Sequence, residues 1–128
     1  MAAPPDNRPL SPHLQVWRWH ITMAASIANR AAGVGLLVGA FALVYWLWAL
    51  AAGAETFAEV NGLLATLPGQ IILFLVVAAG GYHFAAGIRH LVWDAGRGFS
   101  PRVAEITGWG TFVFAVLTPV VIWALAGA

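Results

Sequence analysis

The run Gly69-Gln70-Ile71-Ile72-Leu73-Phe74-Leu75-Val76-Val77-Ala78-Ala79-Gly80-Gly81-Tyr82-His83-Phe84-Ala85-Ala86-Gly87-Ile88, continued by Arg89-His90-Leu91-Val92-Trp93-Asp94, decides the fold. A hydrocarbon core is crossed by about 20 apolar residues. Residues 69–88 meet that length with His83 as the only readily ionisable group. In lipid such a run is helical, because a helix satisfies its own backbone hydrogen bonds. Each helical residue turns about 100°. His83, Gly87, His90 and Asp94, spaced four, three and four apart, therefore share one face. Gly87 removes side-chain bulk one turn from His83. A large flat group held by an imidazole, such as a haem, suits that arrangement. The competing reading is a neutral histidine hydrogen-bonded to a neighbouring helix.

Two further runs of the same kind flank this one. Residues 31–54 and 106–128 carry no charge. The expected fold is an all-α membrane protein of three transmembrane helices, over about residues 22–53, 68–94 and 101–128. An extended, interfacial segment over residues 1–21 precedes this membrane domain of residues 22–128. Pro4, Pro5, Pro9 and Pro12 keep the lead extended. Trp17 and Trp19 suit the membrane interface. The proline, arginine and histidine of residues 1–20 do not read as a cleavable signal peptide. A short surface helix is expected around residues 56–64. Ser100-Pro101 reads as a helix entry, with serine as N-cap and proline at the first helical position.

Composition narrows the function. Of the 128 residues, 61% are hydrophobic and 9% charged, against about a quarter charged in soluble domains. A net charge of +1 argues against nucleic acid as a partner. With no cysteine, the chain supplies no thiolate metal site and no iron–sulfur ligand. All six basic residues are arginines. Arg8, Arg18 and Arg30 precede the first span, and Arg89, Arg97 and Arg102 lie near the loop between the second and third. The first loop carries only Glu55 and Glu59. The positive-inside rule places the N-terminus in the cytoplasm and the C-terminus in the periplasm. In a mitochondrion the arginine-rich side is the matrix side.

Seven residues of helix separate His83 from His90 by about 10 Å, so the two do not flank one iron. A bis-histidine haem then takes its other ligand from another chain. Arg30 and Arg89 read first as anchors that snorkel to headgroups. Ser26 lies one turn from Arg30 on the same face. Its hydroxyl and the Arg30 guanidinium suit a quinone carbonyl or a haem propionate. Gly33, Gly35 and Gly39 point to close helix contact.

Two ordered motifs carry a family resemblance. Arg8-Pro9-Leu10-Ser11-Pro12-His13-Leu14, followed by Ser26-Ile27-Ala28-Asn29-Arg30-Ala31-Ala32-Gly33, resembles the N-terminal signature of the cytochrome b556 subunits of succinate dehydrogenase. These are the C-type membrane anchors of respiratory complex II. His83-x-x-x-Gly87-x-Arg89-His90-Leu91-x-x-Asp94 resembles the second signature. The resemblance implies an anchor in the bacterial inner membrane, or the inner mitochondrial membrane, that assists electron transfer from succinate to ubiquinone. It implies haem b shared with a second membrane anchor subunit, an iron–sulfur subunit and a flavoprotein subunit as partners, and no catalytic residue in this chain. It makes His83 the axial haem iron ligand, Ser26 and Arg30 quinone-binding residues, and Arg30 and His90 propionate contacts. Asn29 stands where the family commonly has histidine. A haem-free structural scaffold and the anchor of a quinol:fumarate reductase are the alternatives.

Overall fold

The computed structural model describes residues 17–127. The extended lead and residues 8–14 of the first motif, His13 included, lie outside them. Four helices follow in order: α1 (Ile21–Ala52), α2 (Ala54–Ala65), α3 (Leu67–Asp94) and α4 (Pro101–Ala126). Among the described residues all regular structure is helical. Helices α1, α3 and α4 are long and apolar enough to cross a membrane. The fold is therefore the expected all-α, three-span one, with the short α2 in the first loop.

Local chemistry sets the ends of these helices. Gly53, at φ 125°, adopts a conformation that L side chains rarely reach, and it separates α1 from α2. The Thr66 hydroxyl accepts from Gly69 N at 3.3 Å and caps α3. Ser100 caps α4 by accepting from Val103 N at 3.4 Å, with Pro101 opening the helix. The α3–α4 turn uses positive φ at Gly96 and Gly98. Helix α4 continues through Pro119, which is fully buried.

Helix α3 packs on both α1 and α4, and α1 also touches α4. The α1 contact uses the glycines that the sequence singles out. A Cβ at Gly39 would come within 2.8 Å of Val76 Cγ1, one at Gly35 within 3.9 Å of Ala79 Cβ, and one at Gly33 within 3.8 Å of His83 Cε1. Small residues let the backbones approach, and packing is the main source of helix association in lipid. On the α4 side, a Cβ at Gly81 would meet Thr118 Oγ1 at 2.5 Å. The core is a cluster of Ala32, Tyr82 and Ala86, with Ala28, Ala79, Phe112 and Ala115 packed against it.

At the end opposite the arginines, polar bonds tie α2 to the spans. Trp46 Nε1 donates to Asn61 Oδ1 at 3.1 Å. Gln70 donates to the Leu64 carbonyl at 3.1 Å and accepts from Trp123 Nε1 at 3.2 Å, which links α2, α3 and α4. Little of the apolar surface is buried inside the chain. The buried shares of the most apolar stretches of α1, α3 and α4 are 6%, 17% and 11%. Most of each span is left to face lipid or another chain.

Candidate functional site

Helix α3 turns Tyr82, not His83, toward its neighbours. Tyr82 is 5% exposed, and its hydroxyl donates to the Ala25 carbonyl of α1 at 2.7 Å. Its ring lies 5.1 Å from that of Phe112 on α4. A buried tyrosine needs a partner for its hydroxyl, and here that partner is a neighbouring helix. With Tyr82 pinned inward, His83 is turned about 100° away. His83, Gly87, His90 and Asp94 are all exposed. The shared face expected from their spacing is thus an outer face of the chain.

His83 is accordingly not enclosed by its own chain, although it sits deep in the span. Its ring rests against Gly33 of α1, and it makes no hydrogen bond among the described residues. Among the described residues, no neighbouring helix gives His83 a hydrogen-bond partner. A Cβ on Gly87 would meet nothing within 4 Å, so open space adjoins His83 one turn away. No group of three or more histidine, cysteine, aspartate or glutamate side chains gathers around a metal site among the described residues.

Toward the arginine-rich end, α1 and α3 enclose a cavity of about 220 Å³. Ser26, Asn29 and Arg30 line it from α1, and Arg89, His90 and Trp93 from α3. The structure thus brings Ser26, Arg30 and His90 to one cavity. His83 is not among its lining residues and lies about 10 Å deeper along α3 than His90. The site therefore has two levels, an exposed imidazole below and a polar cavity above.

Arg89 does more than reach toward headgroups. Its Nε donates to Thr107 Oγ1 at 3.0 Å and its Nη2 to the Ala104 carbonyl at 3.0 Å, both on α4. Its guanidinium carbon stacks 3.9 Å from the Trp93 ring centroid. Arg89 therefore locks α3 to α4 and adds positive charge to the cavity wall. Sequence reasoning missed this role, and it missed the Tyr82 pin. One signal was available for each. Arg89 lies four residues before an aromatic that it can cover, and Tyr82 carries a hydroxyl into an apolar span.

The chain's sequence is similar to a known group over nearly its whole length. Residues 4–122 match the family described as succinate dehydrogenase/fumarate reductase transmembrane subunit. The succinate dehydrogenase cytochrome b556 subunit of Paracoccus denitrificans is 39% identical over 119 residues, covering 90% of this chain and 92% of the relative. That of Rickettsia conorii is 37% identical over 118 residues, covering 92% of each. The mitochondrial succinate dehydrogenase cytochrome b560 subunit of Mus musculus is 34% identical over 115 residues, covering 88% of this chain and 68% of the relative.

Proposed function

This chain belongs to the succinate dehydrogenase/fumarate reductase transmembrane subunit family, and we propose that it is the haem b-binding anchor of a succinate:quinone oxidoreductase. The observation that carries this reading is the placement of His83. Its ring is exposed at membrane depth, free of hydrogen bonds among the described residues, and flanked by Gly33 and the open space at Gly87. An ionisable side chain at that depth is costly unless it has a function.

The residues fit a haem. His83 offers one axial nitrogen, and the glycines leave room for a flat ring beside it. Bound there, haem b supplies a one-electron redox centre. Arg30 and His90, nearer the arginine-rich end, would hold its propionates by charge-assisted bonds. A histidine of a second membrane anchor would supply the other iron ligand, since His90 lies too far along the helix. That partner also covers the exposed face of α1 and α3. Without it the chain exposes half a cofactor site to lipid.

Ser26 and Arg30 line the quinone site. The Ser26 hydroxyl and the Arg30 guanidinium donate to a ubiquinone carbonyl and orient the ring for reduction. Arg18, Arg30, Arg89, Arg97 and Arg102 all lie toward one end of the spans, with Glu55 and Glu59 at the other. The arginine-rich end faces the cytoplasm, or the matrix in a mitochondrion, and the C-terminus lies on the opposite side. The cavity therefore opens near an incoming iron–sulfur subunit, which passes on electrons from a flavoprotein subunit. Succinate chemistry belongs to those partners, and this chain positions the acceptor.

Two assays on one assembled complex test the quinone assignment. Succinate oxidation with an artificial acceptor should survive in Ser26→Ala and Arg30→Leu, while ubiquinone reduction falls. The serine change removes one hydrogen bond, worth about 0.5–1.5 kcal/mol. The arginine change should cost more, because its bonds are charge-assisted. Wild-type quinone reduction in both variants would return these residues to an anchoring role.

A further inference from the structure

A groove of about 430 Å³ opens at the arginine-rich end, between the start of α1 and the first turns of α4. Trp19, His20 and Thr22 line it from α1 and the residues before it, and Glu105 and Trp109 from α4. It shares only Thr22 with the cavity of Ser26 and Arg30, so the quinone reading does not account for it. Its depth follows from the sequence. Glu105 is the last charged residue before the uncharged run of residues 106–128, and Trp19 and His20 immediately precede α1. The groove therefore lies where headgroups meet hydrocarbon.

Its wall carries unmet polar groups of two kinds. Glu105 is an acid at the end where the arginines gather, and an acidic residue does little to set topology. It makes no ion pair among the described residues, although Arg102 stands one turn earlier on α4. The indole N–H groups of Trp46, Trp93 and Trp123 donate within the chain. Those of Trp19 and Trp109 have no acceptor among the described residues, and the two side chains are 65% and 58% exposed. Trp17 braces Trp19 edge-on, with ring centroids 5.1 Å apart. A carboxylate beside two indoles recognises a cationic nitrogen, and free indole N–H groups recognise anionic oxygens. Val113 and Val116, exposed on the same side of α4 as Glu105 and Trp109, continue the wall into the span as apolar surface.

We propose that this groove binds a phospholipid whose headgroup ends in a primary ammonium, of the phosphatidylethanolamine kind. Glu105 accepts hydrogen bonds from the ammonium, the indole N–H groups of Trp19 and Trp109 donate to phosphate or ester oxygens, and the acyl chains follow α4. An anionic headgroup without the ammonium meets Glu105 with like charge. One such lipid joins the ends of α1 and α4 across the groove.

The test uses the assembled complex, purified in detergent and titrated with phosphatidylethanolamine or phosphatidylglycerol of identical acyl chains. Retained lipid is counted by native mass spectrometry, with every subunit confirmed present. The wild type should retain phosphatidylethanolamine about three- to ten-fold more tightly. Glu105→Gln and Trp109→Leu should each bring the two lipids within about two-fold of one another. Glu59→Gln, at the other end of the spans, should keep the full preference. No preference in the wild type, as when a partner subunit closes the groove, would overturn the proposal, and so would a full preference in Glu105→Gln. Displacement of the lipid by an equal concentration of free phosphoethanolamine would overturn it too, because the site would then serve a soluble headgroup rather than a membrane lipid.

Discussion

Replacing Tyr82 separates the two things that residue does. Its hydroxyl bonds the Ala25 carbonyl at 2.7 Å, and its ring fills the small-residue core against Phe112. Tyr82→Phe removes only the hydroxyl. The Ala25 carbonyl keeps its own helical bond, so no acceptor is left bare. The expected loss is then close to the membrane average of about 0.6 kcal/mol, a roughly three-fold change in the packing equilibrium. Tyr82→Ala also empties a site that is 5% exposed. Large-to-small changes of aromatic core residues cost about 3–5 kcal/mol. Detergent-induced unfolding of the assembled complex, followed with haem retention, reads both variants. Tyr82→Phe should unfold slightly earlier with its haem spectrum intact. Tyr82→Ala should unfold much earlier and lose haem, because α3 is then free to turn and carry His83 out of register. If the two variants are equally stable, or if Tyr82→Ala keeps a wild-type haem spectrum, Tyr82 does not set the rotation of α3.

Other substitutions probe the same packing. Gly81→Ala forces a methyl group against Thr118 Oγ1 and should destabilise the α3–α4 contact by about 1–3 kcal/mol, read as a lower unfolding midpoint. A methyl group at Gly87 meets no side chain within 4 Å among the described residues. Gly87→Ala should leave the packing unchanged yet reduce haem occupancy, measured as haem per complex. Arg89→Lys should lower the unfolding midpoint despite the retained charge, because a single ammonium does not reproduce the two bonds to Thr107 and Ala104 and the stacking on Trp93. A midpoint equal to wild type would reduce Arg89 to a topological anchor.

The span pattern was legible because it rests on length and charge alone. Residues 69–88 and their two uncharged neighbours admit little but membrane helices. The caps at Thr66 and Ser100 are equally local, although only Ser100 stood out, through the proline that follows it. The glycines of α1 pointed to a close helix contact, and α3 fills it. Rotation about a helix axis is a different matter, since it depends on which residue faces which neighbour. The spacing of His83, Gly87, His90 and Asp94 gives a shared face, but not whether that face turns inward. Tyr82 decides that, through a partner 57 residues away at Ala25. The same limit hid the role of Arg89, whose acceptors lie on α4. It also hid the buried Asn29 Oδ1, which has no hydrogen-bond partner among the described residues. The division of the site into two levels was partly visible. The seven-residue step from His83 to His90 excluded one shared iron, but only the folded chain separates the polar cavity from the imidazole below it.

The central claim is that His83 holds the iron of a haem shared with a second membrane anchor. The most direct measurement is the absorption and low-temperature electron paramagnetic resonance spectrum of the purified, assembled complex carrying His83→Ala, with all partner subunits confirmed present. The account predicts that haem is lost, or that any retained haem no longer shows the low-spin signature of two axial imidazoles. A full complement of haem with the wild-type low-spin spectrum would contradict it.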